Sequence, residues 1–154
     1  MKLVLVRHAK AFDSNEDPQR NLTEEGKKEA TIIGKYIKKT GWKFHHLLSS
    51  PVLRAIQTAE IINQEIQTNI IQKIELKPNH ALENIDSLLL NFQIDDSLII
   101  VLHMPDIAEI VSRILKIPST NLFFSTGSAI GLNITNLNPI EGILVFHYQP
   151  NFLD

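Results

Sequence analysis

The sequence predicts a three-layer α/β fold, a mostly parallel central sheet with helices on both faces. Short apolar runs of strand length alternate with amphipathic stretches of helical length, the pattern of an α/β sheet. The runs at residues 3–6 (LVLV) and 97–102 (SLIIVL) lack the in-out alternation of a half-exposed strand, as central parallel strands covered on both sides should. With 154 residues, 44% apolar and 21% charged, the chain can bury a real core and reads as one domain over residues 1–154.

Residues 3–6 form the first strand, and the polar stretch 12–21, which contains Pro18, is a loop. Thr23 then precedes EEGKKEATIIGKYIKK, with acids in its first turn and lysines in its last, which suits the helix dipole. Ala30, Ile33 and Ile37 share one face of that helix. Residues 44–48 are the second strand. A helix follows in SSPVLRAIQTAEIINQEI, with Ser50 as N-cap, Pro51 at the first helical position, and Ala55, Ala59, Ile62 and Ile66 at helical spacing. Residues 70–76 are a third strand, 85–92 a short helix, 97–102 a buried strand and 106–115 a further helix. Residues 128–134 and 143–147 close the sheet.

Composition excludes several classes of function. A formal net charge of -2 argues against non-specific nucleic-acid binding, which needs a dense basic face. The chain contains no cysteine, which removes disulfides, thiolate chemistry and Cys-based zinc sites and fits a reducing compartment. No stretch approaches the length that spans a bilayer, and the run at 3–6 is too short for a signal-peptide core. The expectation is a cytoplasmic protein without nucleic-acid or membrane partners.

In open α/β sheets, ligands bind beyond the carboxyl ends of the strands. The first strand ends in Arg7-His8, the second in Ser49-Ser50 with Arg54 one helical turn on, and the strand at 97–102 in His103. Taken singly, each has a plain structural explanation: a charged strand end, a salt-bridged helix arginine, a buried histidine satisfied by backbone. Together they place two arginines and two histidines on one edge, a crowding of like charge that makes sense if an anion sits among them. The other histidines do not suggest a metal centre. His45 and His46 are adjacent and face opposite sides of a strand, while His80 and His147 lack a partner at ligand spacing. Asp13, Ser14 and Asp17 read as loop residues.

Five segments carry a family resemblance. VRHAKA resembles the Arg-His-Gly/Ala signature of the histidine phosphatase superfamily, the phosphoglycerate mutase-like fold. SSPVLRAIQTAE resembles its second block, VLHMP its third, and RNLTEEGKKEA and FSTGSAIGLNI the first helix and late strand of its short members. The short length points to the subgroup similar to SixA phosphohistidine phosphatases. The resemblance implies that His8 is the nucleophile and becomes phosphorylated, while Arg7, Arg54 and His103 hold the phosphoryl group. It implies no metal and no cofactor. Arginine forks match phosphate oxygens, and nearby cations should lower the pKa of His8 so that a neutral ring can attack phosphorus.

Two further positions follow from the resemblance. Arg20 belongs to the phosphate-side loop, where it adds a contact or recognises a phosphoprotein surface; read without the family it is a solvated loop arginine. Glu83, in HALEN, stands near where members with a general acid carry it, although SixA-like proteins often lack that acid. Leu102 departs from the pattern, since Gly or Ser usually precedes the second histidine, and its bulk is expected to narrow the pocket or displace His103. The expected activity is a metal-independent phosphatase acting on a phosphohistidine of a partner protein, with phosphate or sulfate able to occupy the pocket. The alternatives are a small phosphoester substrate and a non-catalytic phosphate- or phosphoprotein-binding module. Mutase activity is disfavoured by the short chain.

Overall fold

The computed structural model describes residues 1–13 and 19–150. Six strands form one sheet: β1 (Lys2–Arg7), β2 (His46–Ser49), β3 (Ile70–Gln72), β4 (Ser97–Leu102), β5 (Ala129–Leu137) and β6 (Ile140–Tyr148), in the order β3-β2-β4-β1-β5-β6. The four strands from β3 to β1 are parallel, and β5 and β6 are antiparallel additions at one side. Helices α1 (Glu24–Lys39) and α2 (Leu53–Ile66) cover one face, α3 (Ala81–Leu89) and α4 (Asp106–Leu115) the other. This is the predicted α/β class with a mixed sheet.

The uniformly apolar strands are divided between two cores by the pleat. Val4, Val6, Ile99 and Val101 pack toward α1 and α2, while Leu3, Leu5, Leu98, Ile100 and Leu102 pack toward α3 and α4. Helix α1 begins as its sequence predicts: the Thr23 hydroxyl accepts from Gly26 N at 3.0 Å, and Ala30, Ile33 and Ile37 are fully buried.

Several boundaries differ, each for a tertiary reason. The second strand runs over His46–Ser49, not 44–48, because Phe44 leaves the ladder to stack near Trp42. Ser50 does not cap α2. Its backbone N donates to Val101 O at 3.0 Å, which carries the strand on, and its side chain turns to His103, so Val52 precedes the helix. The apolar stretch 70–76 splits into β3 and a single 3₁₀ turn (Ile74–Leu76) that buries Leu76. Helix α3 starts four residues earlier than the local pattern predicts, because the buried Asp106 carboxylate on α4 accepts from the backbone N–H groups of Asn79, Ala81 and Leu82 at its N-terminus. The closing strands are longer than expected because each completes the other's ladder.

Strand register positions everything that follows. Arg7 pairs with Leu102 and Ser49 with Val101, so His8, Ser50 and His103 leave the sheet side by side at its carboxyl edge. His8 N donates to Leu102 O at 3.0 Å, and Arg7 N to Ser128 O at 3.0 Å. Among the described residues no helix is long and apolar enough to cross a membrane.

Leu102 is fully buried against α3 and α4 and does not line the cavity beside His103, contrary to the expectation that it narrows the pocket. Its role is packing. Leu102→Ala is therefore expected to cost about 2–5 kcal/mol of stability, read from urea unfolding; a loss below about 1 kcal/mol would contradict this placement.

Candidate active site

A cavity of about 380 Å³ opens at the carboxyl edge of the sheet, lined by Arg7, His8, Arg20, Arg54, His103 and, around them, by Lys10, Ala11, Asp13, Pro78, Met104 and Thr126. Five residues that the sequence reading assigned to the site thus meet in one place although they span positions 7 to 103. Each arrives by a local device. Arg7 and His8 leave the end of β1, Arg54 stands in the first turn of α2, and His103 follows β4 directly.

The nucleophile candidate is held in one orientation. His8 Nδ1 lies 2.8 Å from the Ala9 carbonyl oxygen, to which it donates as N–H, so the lone pair resides on Nε2. That nitrogen lies 3.3 Å from Arg54 Nε, which donates to it. Ala9 is pinned in turn: its N–H donates to Thr58 Oγ1 at 3.0 Å, and the same hydroxyl donates to Arg54 O at 2.7 Å. One threonine thereby ties the residue after His8 to the helix that carries Arg54. Arg7 is aimed by its Nη1 donating to Phe124 O at 2.7 Å.

The second histidine is buried, with its Nε2 2.8 Å from Ser50 Oγ. Its Nδ1 is buried without a hydrogen-bond partner. The tautomer that donates from Nε2 to Ser50 leaves a bare lone pair at Nδ1 and avoids stranding an N–H. The two imidazole centroids are 5.2 Å apart.

Burial is the largest influence on both rings. It pushes His8 down to about 4, with Arg54, Arg7 and Arg20 adding to the fall and the Ala9 carbonyl opposing it. The sequence reading named only the neighbouring groups, Arg7, Arg54 and His103, as the cause of a lowered value. Desolvation is larger than the effect of the arginines, and His103 is itself held far below its ordinary value by burial, by His8 and by the same arginines. Both rings are neutral at pH 7.

Arg20 lines the cavity and acts electrostatically on both histidines, with its Nη1 4.0 Å from Asp13. Asp13, read from sequence as a plain loop residue, belongs to the lining; Ser14 and Asp17 lie outside the described residues. Glu83 is not brought to the cavity. It is exposed on the first turn of α3, 3.7 Å from His80. Sequence reasoning missed Lys10 and Thr126, whose proximity depends on how loops fold back. Ser50 was noticed but given the wrong partner. The remaining histidines have structural settings: His45 Nδ1 accepts from Ser97 N, His46 lies against Phe92 and His147 against Phe124. Among the described residues no three His, Asp or Glu side chains gather where they could hold a metal ion.

The family model of the histidine phosphatase superfamily (branch 1) matches residues 3–88, more than half of the chain. The chain belongs to the histidine phosphatase superfamily. The matched segment carries Arg7, His8, Arg20 and Arg54, and the enzyme class that goes with the family is a phosphatase. The structure of the protein histidine phosphatase SixA complexed with tungstate superposes with a TM-score of 0.88 at 22% identity, covering 100% of both chains. The mycobacterial glucosyl-3-phosphoglycerate phosphatase in complex with inorganic phosphate superposes at 0.72 and 17% identity, covering 96% of this chain and 97% of that one. These likenesses establish the phosphoglycerate mutase-like fold. The mitochondrial serine/threonine-protein phosphatase Pgam5 of Drosophila ananassae is 36% identical over 66 residues, 42% of this chain and 23% of its own length. The match thus spans under a quarter of the length of that relative.

Protonation of His8 is expected to be linked to folding. Its unfolded value near 6.5 exceeds its folded value of about 4, so between these the unfolded chain binds more protons and stability falls as pH falls. The ligand-free superfamily domain should therefore lose stability progressively from about pH 6.5 to about 4. An imidazole titration of His8 by NMR should show a neutral ring at pH 6; a midpoint at or above 6.5 would contradict the desolvation described here.

Proposed function

We propose that this protein is a metal-independent phosphatase that passes a phosphoryl group through His8 to water, with a phosphohistidine on a partner protein as its substrate. One observation carries the reading: the Nδ1–H bond to the Ala9 carbonyl leaves a neutral Nε2 lone pair beside Arg54, in a cavity walled by Arg7 and Arg20. In the first step Nε2 attacks phosphorus, the P–N bond to His8 forms, and the bond to the leaving group breaks with its electron pair. In the second, water attacks the same phosphorus, the P–N bond breaks, and neutral imidazole and inorganic phosphate remain. Arg7, Arg54 and Arg20 are the groups we assign to the phosphoryl oxygens, whose charge is spread at the transition state. His103 completes that wall.

The substrate class follows from proton supply. Asp13 is the one carboxylate among the described lining residues, and its side chain is fully exposed. Glu83 stands outside the cavity, so we do not assign it the role of proton donor. A phosphohistidine releases an imidazole whose conjugate acid has a pKa near ~6.5, so it departs with little help, whereas an alkyl phosphate releases a far more basic alkoxide. The name of the tungstate-bound neighbour, a protein histidine phosphatase, supports the same substrate. The absence of cysteine suits a reducing compartment, and we place the reaction in the cytoplasm.

Trapping with a ³²P-labelled substrate should give an acid-labile, alkali-stable phosphoenzyme that is absent in His8→Ala; label persisting in that variant would refute His8 as nucleophile. EDTA should leave turnover of p-nitrophenyl phosphate unchanged, and a reversible loss would refute the metal-free mechanism. Arg54→Ala should weaken vanadate binding by roughly 10–150-fold, the equivalent of about 1.5–3 kcal/mol for a lost charged hydrogen bond.

With no buried carboxylate among the described lining residues, alkyl phosphates should turn over about 10²–10⁴-fold more slowly than phosphohistidine. Equal rates would instead favour a small phosphoester substrate. Binding of vanadate without turnover of any substrate would identify a phosphate-binding module.

A further inference from the structure

The buried residue on α1 nearest this chemistry has no role in the scheme above. Glu29 is 5% exposed, and its two carboxylate oxygens serve two different loops. Oε2 accepts from Lys10 N at 2.9 Å, two residues beyond His8. Oε1 accepts from the Thr126 hydroxyl at 3.1 Å, on the turn that leads into β5. That turn reaches the nucleophile from its other side: Gly127 N lies 3.2 Å from both the Arg7 and the His8 carbonyl oxygens and donates between them. One side chain thus joins the segment leaving β1 to the turn that grips its last two residues.

The surroundings are fitted to a side chain of this length. Gly127 has φ +67, and a Cβ there would stand 2.7 Å from Glu29 Cβ, so the turn lies directly on the glutamate. On the other side Lys10 O accepts from Thr23 N at 3.0 Å, so Lys10 is held at both its N–H and its carbonyl by the start of α1. Lys10 and Thr126 both line the cavity. Burial lowers the Arg7 pKa while the Glu29 charge works against that fall, which places the carboxylate within electrostatic reach of the pocket.

We infer that Glu29 is a positioning residue for the phosphoryl-transfer site: by bridging Lys10 N–H and the Thr126 hydroxyl it fixes the backbone of Arg7 and His8, and with it the aim of the nucleophile. The inference rests on the reading of His8 as nucleophile. Its distinctive content is that reach matters more than charge. Glutamine has the same length, and with its carbonyl toward Lys10 N–H and its amide toward the Thr126 oxygen it can keep both bridges. Aspartate keeps the charge but is one methylene too short to span both loops.

The test compares Glu29→Gln, Glu29→Asp and Glu29→Ala with the wild type, using p-nitrophenyl phosphate as probe. Near-native turnover is expected in Gln, within about threefold, whereas Asp and Ala should lose about 10–10²-fold, mainly in kcat, the scale of an ångström-level misplacement. The ¹⁵N signature of His8 in the free protein should keep the Nδ1–H tautomer in Gln and lose its single-tautomer form in Asp and Ala. Thermal melting identifies variants that fail to fold. Should Ala and Asp both fail, Gln still decides by its rate and tautomer. Asp faster than Gln would mean that charge is the contribution and would overturn the inference, as would native rates in Asp or a collapse in a folded Gln variant. A wild type that turns over no substrate overturns the phosphatase reading instead, and the tautomer comparison still tests the positioning.

Discussion

Two imidazoles and three guanidinium groups share the mouth of one sheet, and water is largely withdrawn from the rings. Under those conditions a protonated histidine would have to be desolvated next to fixed positive charge, so both rings remain neutral. The rest of the arrangement depends on this constraint. A neutral His8 must direct its one lone pair, and the Ala9 carbonyl takes the Nδ1 proton to make that direction unambiguous. A neutral His103 must lodge its single N–H, and Ser50 is drawn out of the helix cap to receive it. The same crowding of cations gives the cavity a positive potential, the electrostatic basis of the proposed anion binding.

The sheet supplies the precision. Parallel register between β1 and β4 sets Arg7 level with Leu102, and the two histidines therefore emerge next to each other. The antiparallel β5 then closes the other side, since its preceding turn donates back to the carbonyls of Arg7 and His8. The site is gripped on one side by the buried parallel core and on the other by a loop tied to α1. Leu102 belongs wholly to the first grip: a large side chain at that position fills the α3–α4 core and does not line the cavity.

Charge placement also narrows the chemistry. A cavity whose described lining offers three arginines, a lysine and a single exposed aspartate is built to receive negative charge and poorly equipped to give up a proton. That lining is what supports the proposed phosphohistidine substrate, whose leaving group departs unaided. The buried carboxylate on α1 is not part of that lining: it is taken up by the Lys10 N–H and the Thr126 hydroxyl and serves to tie two loops together.

The residues of the site were legible in sequence because chemistry at a strand end leaves a linear trace. Arg-His after LVLV, Arg54 one turn into a helix and His103 after SLIIVL each announce an element boundary and a charge together, and elements of strong period such as α1 and β4 appear where the pattern puts them. What tertiary structure alone decided were the features with no local signal. Ser50 satisfies the local rules for an N-cap, and it is redirected by two groups of another strand and its end, the Val101 carbonyl that takes its N–H and the His103 ring that takes its side chain. Helix α3 starts early because Asp106 waits for it across space, and Glu83 faces solvent as a consequence of that start. The size of the histidine shifts was likewise beyond the sequence. Neighbouring charges can be counted along a chain, but the larger effect, removal of water, exists only once the layers have closed over the rings.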